Sequence, residues 1–161
     1  MAQFELAAAF VLVDEGAYEP PTEADPGGET KFGISKRAYP EEDIRNLTAA
    51  RARQIYERDF WRFEEVNDQD VANLLLDVCV QLGRAGGTRL LQQALVIFYP
   101  GKGIALDGVF GPVTLAMVNG CKAAALLNEL RARRAQRICE DLRKNPAEAP
   151  LSLGLFRRAC K

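Results

Sequence analysis

The sequence predicts a mainly α fold with one small excursion into β structure or loop after the first helix. Three observations carry that prediction. Apolar residues recur at helical spacing over most of the 161 residues, helix-start signals stand at Thr48, in the acidic NDQD cluster and at Pro112, and the irregular chain is gathered largely between Val13 and Ser35. The length suits one domain with a core of its own, and repeats and low-complexity segments are absent.

Each element has its own reason. FELAAAFVLVD is rich in Ala and Leu, and its apolar positions spread over most of a helical circumference, so a largely buried first helix is expected, ended near Gly16. Residues 17–35 are irregular, with Pro20-Pro21 and the turn signal DPGG at 25–28, after which KFGIS suits a short strand. Thr48 caps a helix, TAARARQIYERDFW. NDQD at 67–70 opens VANLLLDVCVQLG, where only Asn73, Asp77 and Gln81 interrupt the apolar run from Val71 to Leu82, and this is the expected central helix. A further helix, TRLLQQALVIF, is expected to begin after GRAGG. YPGKGIALDGVFG connects it to PVTLAMVN, where Pro112 suits a first helical position. The last long helix should run from about Cys121 to Lys144, stopped by Asn145-Pro146.

Composition excludes several functions. The chain has no histidine, which removes the commonest general base, Ser-His nucleophile systems and most catalytic zinc sites. No acidic cluster has a recognisable metal-binding spacing and no loop would cradle phosphates, so no metal or cofactor is implied. A net charge of −1 gives no reason to expect nucleic acid as a partner. Cys79, Cys121, Cys139 and Cys160 form no CxxC pair and read as small, reduced, largely buried residues. The N-terminus lacks the basic region of a signal peptide, and no apolar run approaches the ~20 residues that span a bilayer, so synthesis in the cytoplasm is expected.

Chemistry must therefore lean on carboxylates. Glu15 follows the first helix, where the negative helix end and neighbouring Asp14 favour its protonated form. A carboxyl group protonated near neutral pH can act as a general acid toward a glycosidic oxygen. Local sequence leaves a second reading open, a solvated helix-end residue. The loop beyond supplies Glu19, Glu23, Asp25 and Glu29 as partner carboxylates, and Thr30 as a group to orient water.

The motifs EGAY, DPGGETKFGIS, IRNLT and IYERDFW, in that order, resemble the glycoside hydrolase 108 family of lysozyme-like N-acetylmuramidases. The resemblance continues to DGVFGPVTLAMV, which is similar to the family's C-terminal peptidoglycan-binding region. It implies a single lysozyme-like helical domain over 1–161, with a catalytic part in 1–84 and a helical, peptidoglycan-binding part in 85–161. Carried over by motif, it makes Glu15 the catalytic acid, with Asp25 and Thr30 as its catalytic partners. Two departures are visible. Ala17 stands where the family has the second glycine of EGGY, and Gly154-Leu155 stands where it often has Gly-Trp.

Around these residues, Tyr18, Phe32 and Trp61 are candidates for stacking on sugar rings, with Tyr56 and Phe60 as further aromatics that core packing would also explain. Asp77 and Gln81, one turn apart in the core helix, either line the cleft floor or bond to the loop. DGVFGP is either a glycan-binding element or a turn seating Pro112. The arginines of the last helix make a solvated face, with weak attraction to the anionic envelope as a second reading. The function implied is cleavage of the β-1,4 bond between N-acetylmuramic acid and N-acetylglucosamine by a monomeric endolysin-type enzyme, released to the periplasmic wall by a holin-type route. The rivals are an inactive peptidoglycan-binding or secretion-accessory protein and, disfavoured by the net charge, a basic-helix nucleic-acid binder.

Overall fold

The structure, a computed structural model, describes residues 1–14, 18–20, 28–144 and 146. It is mainly helical, with one small antiparallel sheet after the first helix. Helix α1 (Phe4–Asp14) leads to strands β1 (Tyr18–Glu19), β2 (Thr30–Lys31) and β3 (Ile34–Ser35), ordered β1-β2-β3. Helices α2 (Ala49–Ile55), α3 (Gln69–Leu82), α4 (Arg84–Phe98), α5 (Pro112–Gly120) and α6 (Ala123–Lys144) follow. The expected first helix and the cap residue Thr48 are found, and Pro112 opens α5.

Helix α3 is the axis of the molecule. Asp68 caps it, its side chain accepting from Val71 N–H at 3.0 Å, and Val71, Ala72 and every residue from Leu74 to Val80 are buried. Helix α1 lies along one side of it. Gln3 N–H donates to Gln69 Oε1 at 2.7 Å and Gln69 Nε2 returns a bond to Gln3 O at 3.1 Å, so the two helices start side by side and run in parallel. Small residues face the contact, with Ala7, Ala8 and Val11 wholly buried. The far side of α1 is open, contrary to the expected burial all round: Leu6 is 50% and Val13 78% exposed. The reason is geometric, since α1 has its principal helical neighbour on one side only.

Helix α4 begins earlier than expected, at Arg84, and takes in the glycines of GRAGG. Gly83 makes the corner with φ +74°, and a Cβ on Gly87 would lie 2.6 Å from Cys79 Sγ and 2.9 Å from the Cys79 backbone. Gly83 thus ends α3, while Gly87, inside α4, serves close helix packing. The α2 region also departs from expectation. Its last turn, Tyr56–Phe60, widens into a π turn in which Trp61 N–H reaches Tyr56 O at 2.9 Å.

The DGVFGP segment is clamped from below. Buried Gln92 donates to Asp107 Oδ1 at 2.7 Å and to Val109 O at 3.2 Å, and accepts from Gly108 N–H at 2.9 Å. Gly108, at φ +77°, lets the loop approach Ala85 O, which a Cβ would meet at 2.8 Å. Asn119 fastens α5 to the chain before α3 by accepting from Asn67 N–H and donating to Glu65 O. One hydrophobic cluster runs from Ala2 through α3 and α4 to Leu130 of α6, so residues before and after position 84 share a core.

Candidate active site

The candidate site lies where the C-terminal end of α1 gives way to the sheet. Glu15 and Asp25 lie outside the described residues, as do Ala17 and Gly154-Leu155, and the described frame is formed by β1, β2 and β3. Tyr18 pairs with Lys31 and Glu19 with Thr30, and Thr30 and Lys31 pair in turn with Ser35 and Ile34. Directly paired residues share a face of the sheet. Ile34, 1% exposed, marks the face turned to the core. Glu19, Thr30 and Ser35 therefore form a polar row across the opposite face, where Glu19 pairs across the strands with Thr30.

The turn joining β2 and β3 is strained. With Lys31 paired to Ile34, it consists of Phe32 and Gly33, at φ 52° and 65°. Both positive values suit a tight hairpin, but an aromatic residue rarely occupies the first position. Such a conformation costs on the order of 1–3 kcal/mol and persists when its surroundings hold it. Here the buried Tyr56 hydroxyl donates to Phe32 O at 2.6 Å, and the Phe32 ring packs partly into the core. The hairpin that carries Thr30 is thus bolted to the end of α2. Burial, with a smaller effect from Asp77, pushes the Tyr56 phenol well above its ordinary value, so it stays a donor.

Tyr18 stands on β1 with its hydroxyl donating to Glu29 Oε2 at 2.9 Å and its ring 6.0 Å from the Arg45 guanidinium. The bond to Glu29, then burial, raises its phenol from the ordinary value. Tyr18 thus shares a face of the sheet with Lys31 and Ile34, opposite the polar row of Thr30, and Phe32 stands in the turn between β2 and β3. Trp61 stands apart from both. It is 9% exposed and packs edge-on against Phe4 and Phe63, at centroid distances of 5.6 and 5.7 Å, so its ring faces the core and not a sugar. Phe60 is buried beside it.

Asp77 and Gln81 are drawn to a partner that the sequence reading placed on a solvated face. Arg134 of α6 is 1% exposed, and it donates to Asp77 Oδ2 at 2.5 Å and to Gln81 Oε1 at 2.8 Å. Both α3 residues thereby act between helices, not on a cleft floor or a loop. The signal was present in spacing. Leu126, Leu130, Arg134 and Ile138 recur every fourth residue, and all four are buried.

Among the described residues, no group of three or more His, Cys, Asp or Glu side chains could hold a metal, and no helix is long and apolar enough to cross a membrane. Cys79, Cys121 and Cys139 are free thiols, while Cys160 lies outside the described residues.

Comparison with known proteins gives this frame a context. Residues 8–83 match the family model described as Glycosyl hydrolase 108. The solved structure of Brucella abortus SagA is similar over 98% of this chain and 93% of that one, with 26% sequence identity and a TM-score of 0.72. A comparison with curated proteins finds no match.

Proposed function

Residues 8–83 belong to the glycosyl hydrolase 108 family, a family of peptidoglycan hydrolases, and from that premise we propose that the protein is an N-acetylmuramidase. It cleaves the β-1,4 bond between N-acetylmuramic acid and N-acetylglucosamine, with Glu15 as general acid. The observation that carries this reading is the junction of α1 and the sheet. Glu15 follows the last residue of α1, where the negative end of the helix favours a protonated carboxyl group, and Thr30 stands in the middle strand facing the same polar row as Glu19.

In the reaction Glu15 donates its proton to the leaving glycosidic oxygen as the bond breaks. A second carboxylate then stabilises the developing positive charge at the anomeric carbon or activates water, with Thr30 orienting that water. Asp25, the aspartate of the DPGG motif, is assigned this role, and Glu19 is its competitor because it shares Thr30's face. Tyr18 and Phe32 border the sugar site. The enzyme acts as a monomer without metal or cofactor, in the manner of an endolysin that reaches the wall after release from the cytoplasm.

The test is mass spectrometry of purified walls digested by wild type, Glu15→Gln, Asp25→Asn and Glu19→Gln. New reducing ends at N-acetylmuramic acid are expected from wild type, and a loss of about 10²–10⁴-fold for Glu15→Gln with an unchanged thermal melt. Fragments with another reducing end, or near wild-type rates for Glu15→Gln, would refute the assignment. Loss in Glu19→Gln with normal Asp25→Asn activity would move the second role to Glu19.

A further inference from the structure

A cavity of about 770 Å³ lies between the first turns of α4 and the middle of α6. It is lined by Arg84, Arg89, Arg133 and Arg137 against one acidic residue, Glu140, with Gln93 among them. Two of the arginines are already engaged, Arg133 with Glu129 at 2.8 Å and Arg137 with Asp141 at 2.7 Å. Glu140 accepts from Gln136 at 2.9 Å. Arg84 and Arg89 have no ion-pair partner within bonding distance among the described residues, although Asp107 feels the charge of Arg89. A concave site of this size with two uncommitted guanidinium forks suits a small anionic ligand, since the planar fork matches a carboxylate or phosphate in geometry as well as charge.

Its position narrows the ligand. Helices α1 and α3 start level at Gln3 and Gln69 and run in parallel, so Asp14, eleven residues along α1, lies level with Val80 of α3. The cavity wall begins at Leu82 and Gly83, within about one turn (~5 Å) of that level. The basic cleft and the end of α1 that precedes Glu15 are therefore at the same end of the molecule.

We infer that this cleft binds the carboxylates of the short peptides that hang from the wall glycan. The inference rests on the peptidoglycan reading above. In that polymer the peptide is attached to the sugar whose bond is cut, so a chain seated at the α1–sheet junction holds its peptide at the same end of the molecule as the basic wall. The concave shape favours a discrete carboxylate-bearing ligand over the flat surface of a membrane. Arg84 and Arg89 would then set a preference for peptide-bearing glycan without touching the reacting atoms.

The experiment uses the full chain and an Arg84→Gln/Arg89→Gln double variant, whose exposed side chains can be changed without opening the core. In one arm, calorimetry at low salt measures binding of a soluble, sugar-free wall tetrapeptide, of the same peptide with its carboxyl groups amidated, and of glycerol phosphate oligomers. In the other, hydrolysis is compared on glycan strands with and without their peptides. Wild type should bind the free-acid peptide, the double variant about tenfold more weakly, and neither should bind the amidated form measurably. The variant should also show about a tenfold rise in KM on peptide-bearing strands and none on stripped strands. Equal binding of acid and amidated peptides, or an equal loss on both strands, would overturn the inference, and preferential binding of glycerol phosphate would replace it with a phosphate site. Peptide binding by a protein that hydrolyses neither strand would sink the muramidase reading alone. Hydrolysis without peptide binding would sink this one alone.

Discussion

Arg134 and Asp77 offer the sharpest test of how the two halves of the chain depend on each other. Their side chains are 1% and 2% exposed, and they meet at 2.5 Å, with Gln81 accepting a second bond from the same guanidinium at 2.8 Å. Removing one partner leaves a charge in the core, which typically costs about 3–5 kcal/mol, whereas replacing both partners by apolar groups of similar volume is often neutral or stabilising. Asp77→Ala and Arg134→Ala are each expected to destabilise by that amount, the latter with an added packing loss. For a domain of this size, each kcal/mol lowers Tm by about 2–4 °C, so a fall of roughly 6–20 °C is expected. Asp77→Leu combined with Arg134→Met should recover most of the loss. The assay is a double-mutant cycle in urea, with thermal melts alongside. A single variant losing less than about 1 kcal/mol, or a double variant losing the sum of both, would refute the account of a mutually dependent buried pair. Because the pair joins α3 to α6, truncation before α6 should also leave residues 1–122 unable to fold stably, read as loss of the cooperative melt.

Other expectations follow from particular contacts. Tyr56→Phe removes the hydroxyl that holds Phe32 O and should cost about 1–3 kcal/mol, with wall-lysis activity falling more than stability alone explains because the hairpin bearing Thr30 loosens. Normal activity in a folded Tyr56→Phe would show that the hairpin needs no such bolt. Gly87→Ala should destabilise by about 1–3 kcal/mol, and Cys79→Ala should not rescue it, because the clash at 2.9 Å is with the Cys79 backbone as well as its sulfur. Rescue by Cys79→Ala in the double variant would refute that account. Burial pushes the Cys79 thiol up to about 12, so little thiolate exists at neutral pH, and a disulfide reagent should modify exposed Cys139 first and Cys79 only on unfolding. Denatured, unreduced protein should titrate with four thiols if Cys160 is free as well. Rapid labelling of Cys79 in the folded protein would show that α3 and α4 open far more readily than their packing implies.

Local chemistry determined a good part of this protein. The caps at Thr48 and Asp68, the proline that opens α5 and the apolar run of α3 each follow from a few adjacent residues, because capping is settled within one turn of chain. KFGIS, which reads as a strand, is instead bent into a tight turn held by the distant Tyr56. The roles of Glu15 and Thr30 were suggested by the resemblance of their ordered motifs to the glycoside hydrolase 108 family, since local sequence leaves Glu15 open as a solvated helix-end residue. Tertiary structure decided what depends on a distant neighbour. GRAGG reads as a break until Cys79 is placed against Gly87, and Trp61 reads as a sugar platform until Phe4 and Phe63 close around it. Among the arginines of α6, spacing puts Arg134 on the apolar side without naming its partner. Arg134 meets α3, and the carboxylate waiting there makes it a core residue while Arg133 and Arg137 stay on the wall of the basic cleft. A charge can be buried only where its partner already stands, and that partner is 57 residues away in the chain.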